Sequence, residues 1–233
     1  MLNPLATVAV YGFVFGVLFQ AQAPPGDPSG LTAFALYMLC ALLPWNFFAL
    51  VTNLGLGAIA GNSGLVRRVA FPTEILVFSN VLHACVQFSI EMTLLFVVLL
   101  IAGSPIIPWL PAVLLTSVLL AMFATGFALA LSALAVYFRD MNYLWSIVLQ
   151  VWFFATPIVY SPQILEERAA DWVVEVLELN PMLQFAAVYR RCLYDGAAPG
   201  WRTMVALTLL SFAFMAAGWA IFRKFARRLP EEV

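Results

Sequence analysis

Apolar residues run almost unbroken through long stretches of this chain, and polar residues are confined to a few breaks. The apolar runs cover residues 4–20, 33–60, 75–101, 111–136, 142–159 and 203–222. A helix needs about 20 apolar residues to cross ~30 Å of hydrocarbon, so the pattern predicts an all-α integral membrane protein with six transmembrane helices. These make a single transmembrane domain over residues 1–233. The second, third and fourth runs exceed the minimum and should tilt or protrude. The fifth is short and ends at Pro157, which breaks or kinks a helix near the interface. Barrel strands would alternate apolar and polar residues, whereas 92–101 and 114–124 are continuously apolar.

The break between the fifth and sixth runs is patterned rather than plain. In 162–179 the apolar residues Leu165, Ala169, Trp172, Val176 and Leu179 recur at steps of four and three, with Glu166, Glu167, Arg168, Asp171 and Glu175 on the other faces. That predicts one short amphipathic helix. Asn180-Pro181 then supplies an N-cap followed by proline at the first helical position, and Asp195-Gly196 supplies a stop, which predicts a second over 181–194. The pair either dips into the outer leaflet or rests on the membrane surface.

Composition supports a lipid environment: 64% of residues are hydrophobic and 10% charged, against roughly 45–50% and 25% in soluble domains. Ten of the eleven basic residues are arginines, and their placement sets an orientation. Arg67, Arg68, Arg139, Arg223, Lys224, Arg227 and Arg228 fall in one set of breaks. Arg168, Arg190, Arg191 and Arg202 fall in the other, offset by Asp27, Glu166, Glu167, Asp171, Glu175, Glu178 and Asp195. The positive-inside rule therefore puts both termini in the cytoplasm and 160–202 outside. Residues 1–23 lack a basic n-region and read as a retained span rather than a signal peptide.

The candidate chemistry concentrates at the breaks. Residues 62–74, NSGLVRRVAFPTE, set Leu65, Val66, Val69 and Phe71 beside Arg67 and Arg68; Pro72 starts the third span and Glu74 falls in its first turn, where the helix dipole favours an acid. This is the shape of a docking knob with a charged rim, although arginines beside lipid phosphates suit a plain juxtamembrane loop as well. Arg139 and Asp140 mark the inner turn after the fourth span, as a topology anchor or a contact. His83, Gln87 and Glu91 recur every fourth residue along the third span, a stripe suited to lining a path or to bonding between helices. Tyr11, Phe15, Phe154 and Tyr160 are aromatic candidates for a sugar-bearing path, since ring faces stack on sugar C–H faces without a fixed register; interfacial anchoring explains them equally.

Other chemistries fit poorly. Cys40, Cys85 and Cys192 form no C-x-x-C spacing and His83 is the sole histidine, so neither a disulfide framework nor a metal site is indicated. Gly61-Asn-Ser-Gly64 matches the Gly-x-Ser-Gly of intramembrane serine proteases. Ser63, however, falls at the inner water surface beside two arginines, the wrong setting for that nucleophile.

With six spans in order, the chain resembles the permease subunit of ABC-type polysaccharide and polyol-phosphate exporters, the family that moves O-antigen, teichoic acid or galactan. The resemblance rests on Leu2-Asn-Pro4, Phe13-Val-Phe-Gly16, residues 65–76 (LVRRVAFPTEIL), Phe138-Arg-Asp140, Thr156-Pro-Ile-Val-Tyr160, Leu179-Asn-Pro-Met182 and Tyr189-Arg190, each at its topological place. It implies a homodimeric half-transporter in the cytoplasmic membrane, a cell-envelope component and not an enzyme. A second copy of the chain, two copies of a nucleotide-binding ATPase, membrane lipids and a lipid-linked polysaccharide would be its partners, with no nucleic acid. Residues 64–72, within the coupling segment 62–74, would be the coupling helix, with Leu65, Val66, Arg67, Arg68, Val69, Phe71, Pro72 and Glu74 as the coupling residues, and Trp172, Asn180, Pro181, Tyr189 and Arg190 would belong to outer gate helices. No phosphate-binding Gly-x-x-x-x-Gly-Lys-Ser/Thr loop occurs, so ATP and magnesium would be bound by the partner. Members usually open with a basic amphipathic helix, whereas here an apolar run begins at residue 4. Related drug or lipid exporters share the architecture, and an intramembrane enzyme is the alternative of another class.

Overall fold

In the computed structural model the described residues are 10, 13, 23–68, 71–138, 140–160, 172, 177 and 179–226, with the side chains of 66–68 and 226 excluded. They form seven α-helices and no β-strand. We number these α1 (Phe34–Gly57), α2 (Ser63–Arg68), α3 (Glu74–Ile101), α4 (Leu110–Tyr137), α5 (Met141–Ala155), α6 (Pro181–Tyr189) and α7 (Trp201–Ala226). Helices α1, α3, α4 with its preceding turn, and α7 are long and apolar enough to cross a membrane. Each coincides within a few residues with an apolar run of the sequence. The first run, 4–20, lies outside the described residues apart from Val10 and Phe13, both exposed. The segment 162–179, expected to form a short amphipathic helix, is described only at Trp172, Leu177 and Leu179.

The fifth run is where sequence and structure differ. Helix α5 has 15 residues and stops at Ala155, about 22 Å at 1.5 Å per residue and short of a ~30 Å crossing. Residue 156 precedes a proline and is steered away from helical backbone. The chain then turns, with Thr156 N–H donating to Phe153 O at 3.2 Å and Ile158 N–H to Thr156 O at 2.7 Å.

The chain groups into two compact units. The first comprises Met1–Trp45, Ser89–Thr116 and Phe153–Met204. Its interior holds the start of α1 (Leu36, Tyr37, Met38, Cys40) and α6 with the turn after it (Met182, Phe185, Tyr189, Cys192, Leu193, Tyr194), all buried. Asn180 caps α6, its side chain accepting from Met182 N–H at 3.0 Å while its amide donates to Thr156 Oγ1 at 3.0 Å. The helix continues as a π-turn over Arg190–Asp195 and ends at Gly196, whose φ of 72° is left-handed and open to glycine without strain.

The second unit comprises Asn46–Phe88, Ser117–Trp152 and Val205–Val233. Its core is aromatic. Phe48 stacks on Phe123 at 5.6 Å and meets Trp152 edge-on at 5.2 Å, and Phe127 stacks on Phe214 at 5.0 Å. Glycines set how closely the helices approach: a Cβ on Gly55 would lie 2.6 Å from the Cβ of Ala128, and one on Gly218 would collide with the backbone carbonyl of Gly126. In lipid, where tails are as apolar as leucine, such small-residue contacts let helix backbones touch and gain dispersion energy.

Candidate functional site

The knob expected over 62–74 is built by a helix ending and restarting. Gly57 closes α1, a 3-10 turn covers Ala60–Asn62, and α2 follows for six residues. Asn62 does not cap forward: its side-chain amide donates back to Ala58 O at 2.8 Å, satisfying a carbonyl left over from the helix end. On α2, Leu65 is exposed. The side chains of Val66, Arg67 and Arg68, and all of Val69, lie outside the described residues, as does Arg139. Phe71 is half-buried and Pro72 exposed. Glu74, half-buried, is the first residue of α3, and Asp140 is exposed at the start of α5. The C-terminal ends of α4 and α7 meet where Tyr137 Oη donates to Phe225 O at 3.3 Å.

The path-lining candidates separate. His83, Gln87 and Glu91 share one face of α3, but His83 is exposed, Gln87 half-buried and Glu91 buried, so the stripe does not present one continuous polar surface. Phe154 is exposed. Tyr160 is half-buried and donates to Phe154 O at 2.8 Å, folding its chain back onto the end of α5. Tyr11 and Phe15 lie outside the described residues.

Four of the five outer-gate candidates belong to α6 and the turn after it, which carries a buried cation. Trp172 is exposed, and Asn180 and Pro181 begin α6. Tyr189 and Arg190 are both buried. The Arg190 guanidinium lies 3.9 Å from the centroid of the Tyr37 ring and donates to Ile158 O at 2.9 Å and Tyr37 O at 3.3 Å. Burial pushes its pKa below the ordinary value, opposed by Tyr37, Cys40 and Asp195. A cation kept from water in this way is held by a ring face and by carbonyl dipoles.

The same turn gathers the neighbouring loops. The Tyr194 hydroxyl lies 2.6 Å from Leu31 O and 3.2 Å from Pro24 O, and burial raises its pKa to about 12, so it stays a donor. Ser29 Oγ donates to Tyr194 O at 2.6 Å, Ser104 Oγ to Leu193 O at 2.7 Å, and Trp109 Nε1 to Gly196 O at 2.7 Å. Tyr37, Tyr194, Ser29, Ser104 and Trp109 escaped the sequence reading. For the last four the signal, an aromatic or hydroxyl beside a Pro/Gly break, is common in any membrane protein, and Tyr37 stands inside an apolar run with no such mark. Among the described residues no three of His, Cys, Asp and Glu converge as metal ligands, and Cys40, Cys85 and Cys192 form no disulfide.

Comparison with known proteins adds an independent line. The profile of the ABC-2 type transporter family matches residues 1–194. Similar curated proteins include the O-antigen export system permease protein RfbA of Myxococcus xanthus, 29% identical over 234 residues that cover 100% of this chain and 85% of that protein. An RfbA of Klebsiella pneumoniae is 24% identical, covering 98% of this chain and 84% of its own length. The polysialic acid transport protein KpsM of Escherichia coli is 20% identical, covering 96% and 83%.

Proposed function

The chain belongs to the ABC-2 type transporter family, a membrane transport subunit rather than an enzyme, and from that premise we propose that it is the permease of a polysaccharide exporter. The observation that carries this reading is the end-to-end similarity to O-antigen export permeases, which spans all of this chain. In the proposed assembly two copies enclose a path across the cytoplasmic membrane, and each meets one copy of a separate ATPase that binds ATP and magnesium. The cargo is a lipid-linked glycan moved outward.

On this reading residues 4–20 and 142–159 complete six spans, with both termini in the cytoplasm and the α6 turn outside. The short α2, with Leu65, Val66, Arg67 and Arg68, then Val69 in the chain and the break at Phe71-Pro72, seat in a groove of the ATPase. Approach of the two ATPases on binding nucleotide tilts this knob and, through the rigid start of α3 at Glu74, the helices joined to it. The exposed side chain of Leu65 and the abrupt restart of helix after Pro72 support a knob of this kind.

The test is genetic and biochemical together. Deleting the gene in its host should abolish surface polysaccharide and leave lipid-linked glycan inside the cell. Wild-type protein should restore export, and a variant carrying Arg67→Glu, Arg68→Glu and Phe71→Ala should reach the membrane without restoring it. Unchanged surface polysaccharide in the deletion strain would sink the reading. Full rescue by the triple variant would sink the coupling assignment alone.

A further inference from the structure

Helix α1 is the most enclosed of the long helices, yet Asn46, Asn53 and Gly57 on it are exposed while every other residue of Phe34–Gly57 is buried or half-buried. Their spacing of seven and four places them on a single stripe. Helix α5 carries a matching series: Asn142, Ser146 and Gln150 are all exposed, one helical turn apart, with exposed Tyr143 beside them.

The two helices are neighbours and run antiparallel. Phe48 meets Trp152 at 5.2 Å, while four residues later Thr52 accepts from Trp145 Nε1 at 3.2 Å. Measured from that seam at ~100° per residue, the α1 stripe is rotated by about 120–160° and the α5 stripe by about 70–150°, both in the sense of increasing residue number. On antiparallel helices the same sense of rotation leads to the same side. The five amide and hydroxyl side chains therefore share one side of the α1–α5 pair.

Lipid does not suit that side. The side chains of Asn46, Asn53, Asn142 and Gln150 make no hydrogen bond to any described residue, and hydrocarbon offers them none. Ser146 donates inward to Tyr143 O at 2.7 Å and keeps its acceptor pairs outward. Neither helix contains a single Asp, Glu, Lys or Arg. The face is rich in groups that both donate and accept, and it is neutral, which suits many hydroxyls and not a phosphate.

The geometry points to this face, with Asn46, Asn53, Asn142, Ser146 and Gln150, as the wall against which an uncharged, hydroxyl-bearing stretch of the exported glycan slides. This rests on the export reading above and names the surface that reading lacks. Amides repeated at helical spacing offer a passing sugar chain successive, equivalent hydrogen bonds, and Gly57 keeps one end of the α1 stripe low. The sequence pointed instead to His83, Gln87 and Glu91, whose exposure falls away along α3.

The test uses the assembled permease–ATPase complex in host membranes. A Cys85→Ala background removes the half-buried native thiol, since Cys40 and Cys192 are buried. Single cysteines are placed at Asn53, Ser146 and Gln150, and for comparison at exposed Leu144 and Val148 on the far side of α5. A hydrophilic methanethiosulfonate should modify the first three about tenfold faster than the last two, because thiolate forms in water and not in lipid. Vanadate arrest with the host's own polysaccharide engaged should protect them. In export assays Asn53→Leu with Gln150→Leu should slow polysaccharide display about fivefold or more, each lost hydrogen bond being worth ~1 kcal/mol, and Asn53→Gln with Gln150→Asn should restore most of it. Reaction at the lipid-side rate overturns the inference. So does spontaneous disulfide pairing of Ser146→Cys between two copies, which would make the face a subunit contact. Cysteines that react but are never protected in an exporting complex defeat this inference and leave the export reading standing; a deletion strain with normal surface polysaccharide defeats that reading itself.

Discussion

In the unit containing α6, segments far apart in the chain are joined by side chains bonded to backbone carbonyls: Arg190 to Tyr37 O and Ile158 O, Tyr194 to Leu31 O, Ser104 to Leu193 O, Trp109 to Gly196 O. In the other unit ring-on-ring and glycine-on-backbone contacts prevail, as at Phe127–Phe214 and at Gly126 and Gly218, and side chains reach distant segments at fewer points, as where Asn80 donates to Leu54 O, Tyr137 to Phe225 O and Trp145 to Thr52. The difference follows from where the backbone is irregular. A helix satisfies its own amides and carbonyls, so the second unit, nearly all helix, has little left to bond and is positioned by packing. The first unit carries the 23–32 loop, the 102–109 turn and the 156–160 segment, whose carbonyls need partners that lipid cannot supply. Polar side chains therefore specify the place of each loop, whereas shape is the main determinant of the distance between helices.

The sharpest way to break the packed unit is Gly218→Leu. The new side chain would strike the carbonyl of Gly126, and because the obstacle is backbone, no rotamer relieves it. The loss should exceed the ~1–3 kcal/mol of ordinary overpacking and appear as failure to recover folded protein, or as a lowered unfolding midpoint in mild detergent. Unchanged recovery and midpoint would mean that the two helices separate freely and that glycine does not set their approach.

The pinned unit should answer most strongly to Arg190→Met. The substitution keeps much of the volume but strips the donors from two buried carbonyls and the cation from the Tyr37 ring. A loss of about 2–4 kcal/mol is expected, and protease sensitivity should rise in the 156–160 segment. Arg190→Lys should recover little, because an ammonium is a point charge that cannot reproduce a planar fork on two carbonyls and a ring. A fully stable methionine variant would show that Arg190 is kept there for something other than the fold.

The helices and the side chains that pin them differ in how far the amino-acid sequence alone reveals them. The long helices are legible because each is an apolar run bounded by breaks, and α6 is legible because Asn180-Pro181 is a local cap whose chemistry needs no distant partner. Arg190 is not. It stands in a polar break beside Arg191 and reads as a surface charge; only the approach of Tyr37, 153 positions earlier, buries it. Asn46 and Asn53 fail for the opposite reason, since isolated asparagines vanish within an apolar run and only the enclosure of their neighbours makes their exposure informative. The end of α5 at Ala155 is half legible: Pro157 announces a break, but not how far back the helix stops.

Tyr194→Phe sharpens the comparison at a single bond. The ring stays, with its edge contact to Tyr37 at 5.3 Å, while Leu31 O and Pro24 O lose their donor. The expected loss is about 1–2 kcal/mol, and amide hydrogen exchange should quicken over the 23–31 loop while that of α4 and α7 is unchanged. Exchange rising equally in both units would contradict a division between a pinned unit and a packed one.

The smallest expected effect is a slope with pH. Asp195 sits at the end of the π-turn, where burial raises its pKa above the ordinary 3.8; Arg191, a backbone hydrogen bond from Asp27 and Arg190 act in the opposite direction, and the Asp27 charge adds to the rise. A carboxyl raised by folding holds its proton more tightly in the folded state, so between its ordinary and raised values the folded state binds more protons than the unfolded one. Stability from this group is therefore gained as pH falls through that window and lost as pH rises through it. Asp195→Asn keeps an oxygen to accept from Asp27 and removes the titration. Over about pH 4 to 7 the unfolding midpoint of the variant should lose this component of the slope, and at the upper end it should be no lower than wild type. An identical slope in the two proteins would show that Asp195 is effectively solvated, and that the knot around Arg190 is closed by its neutral bonds alone.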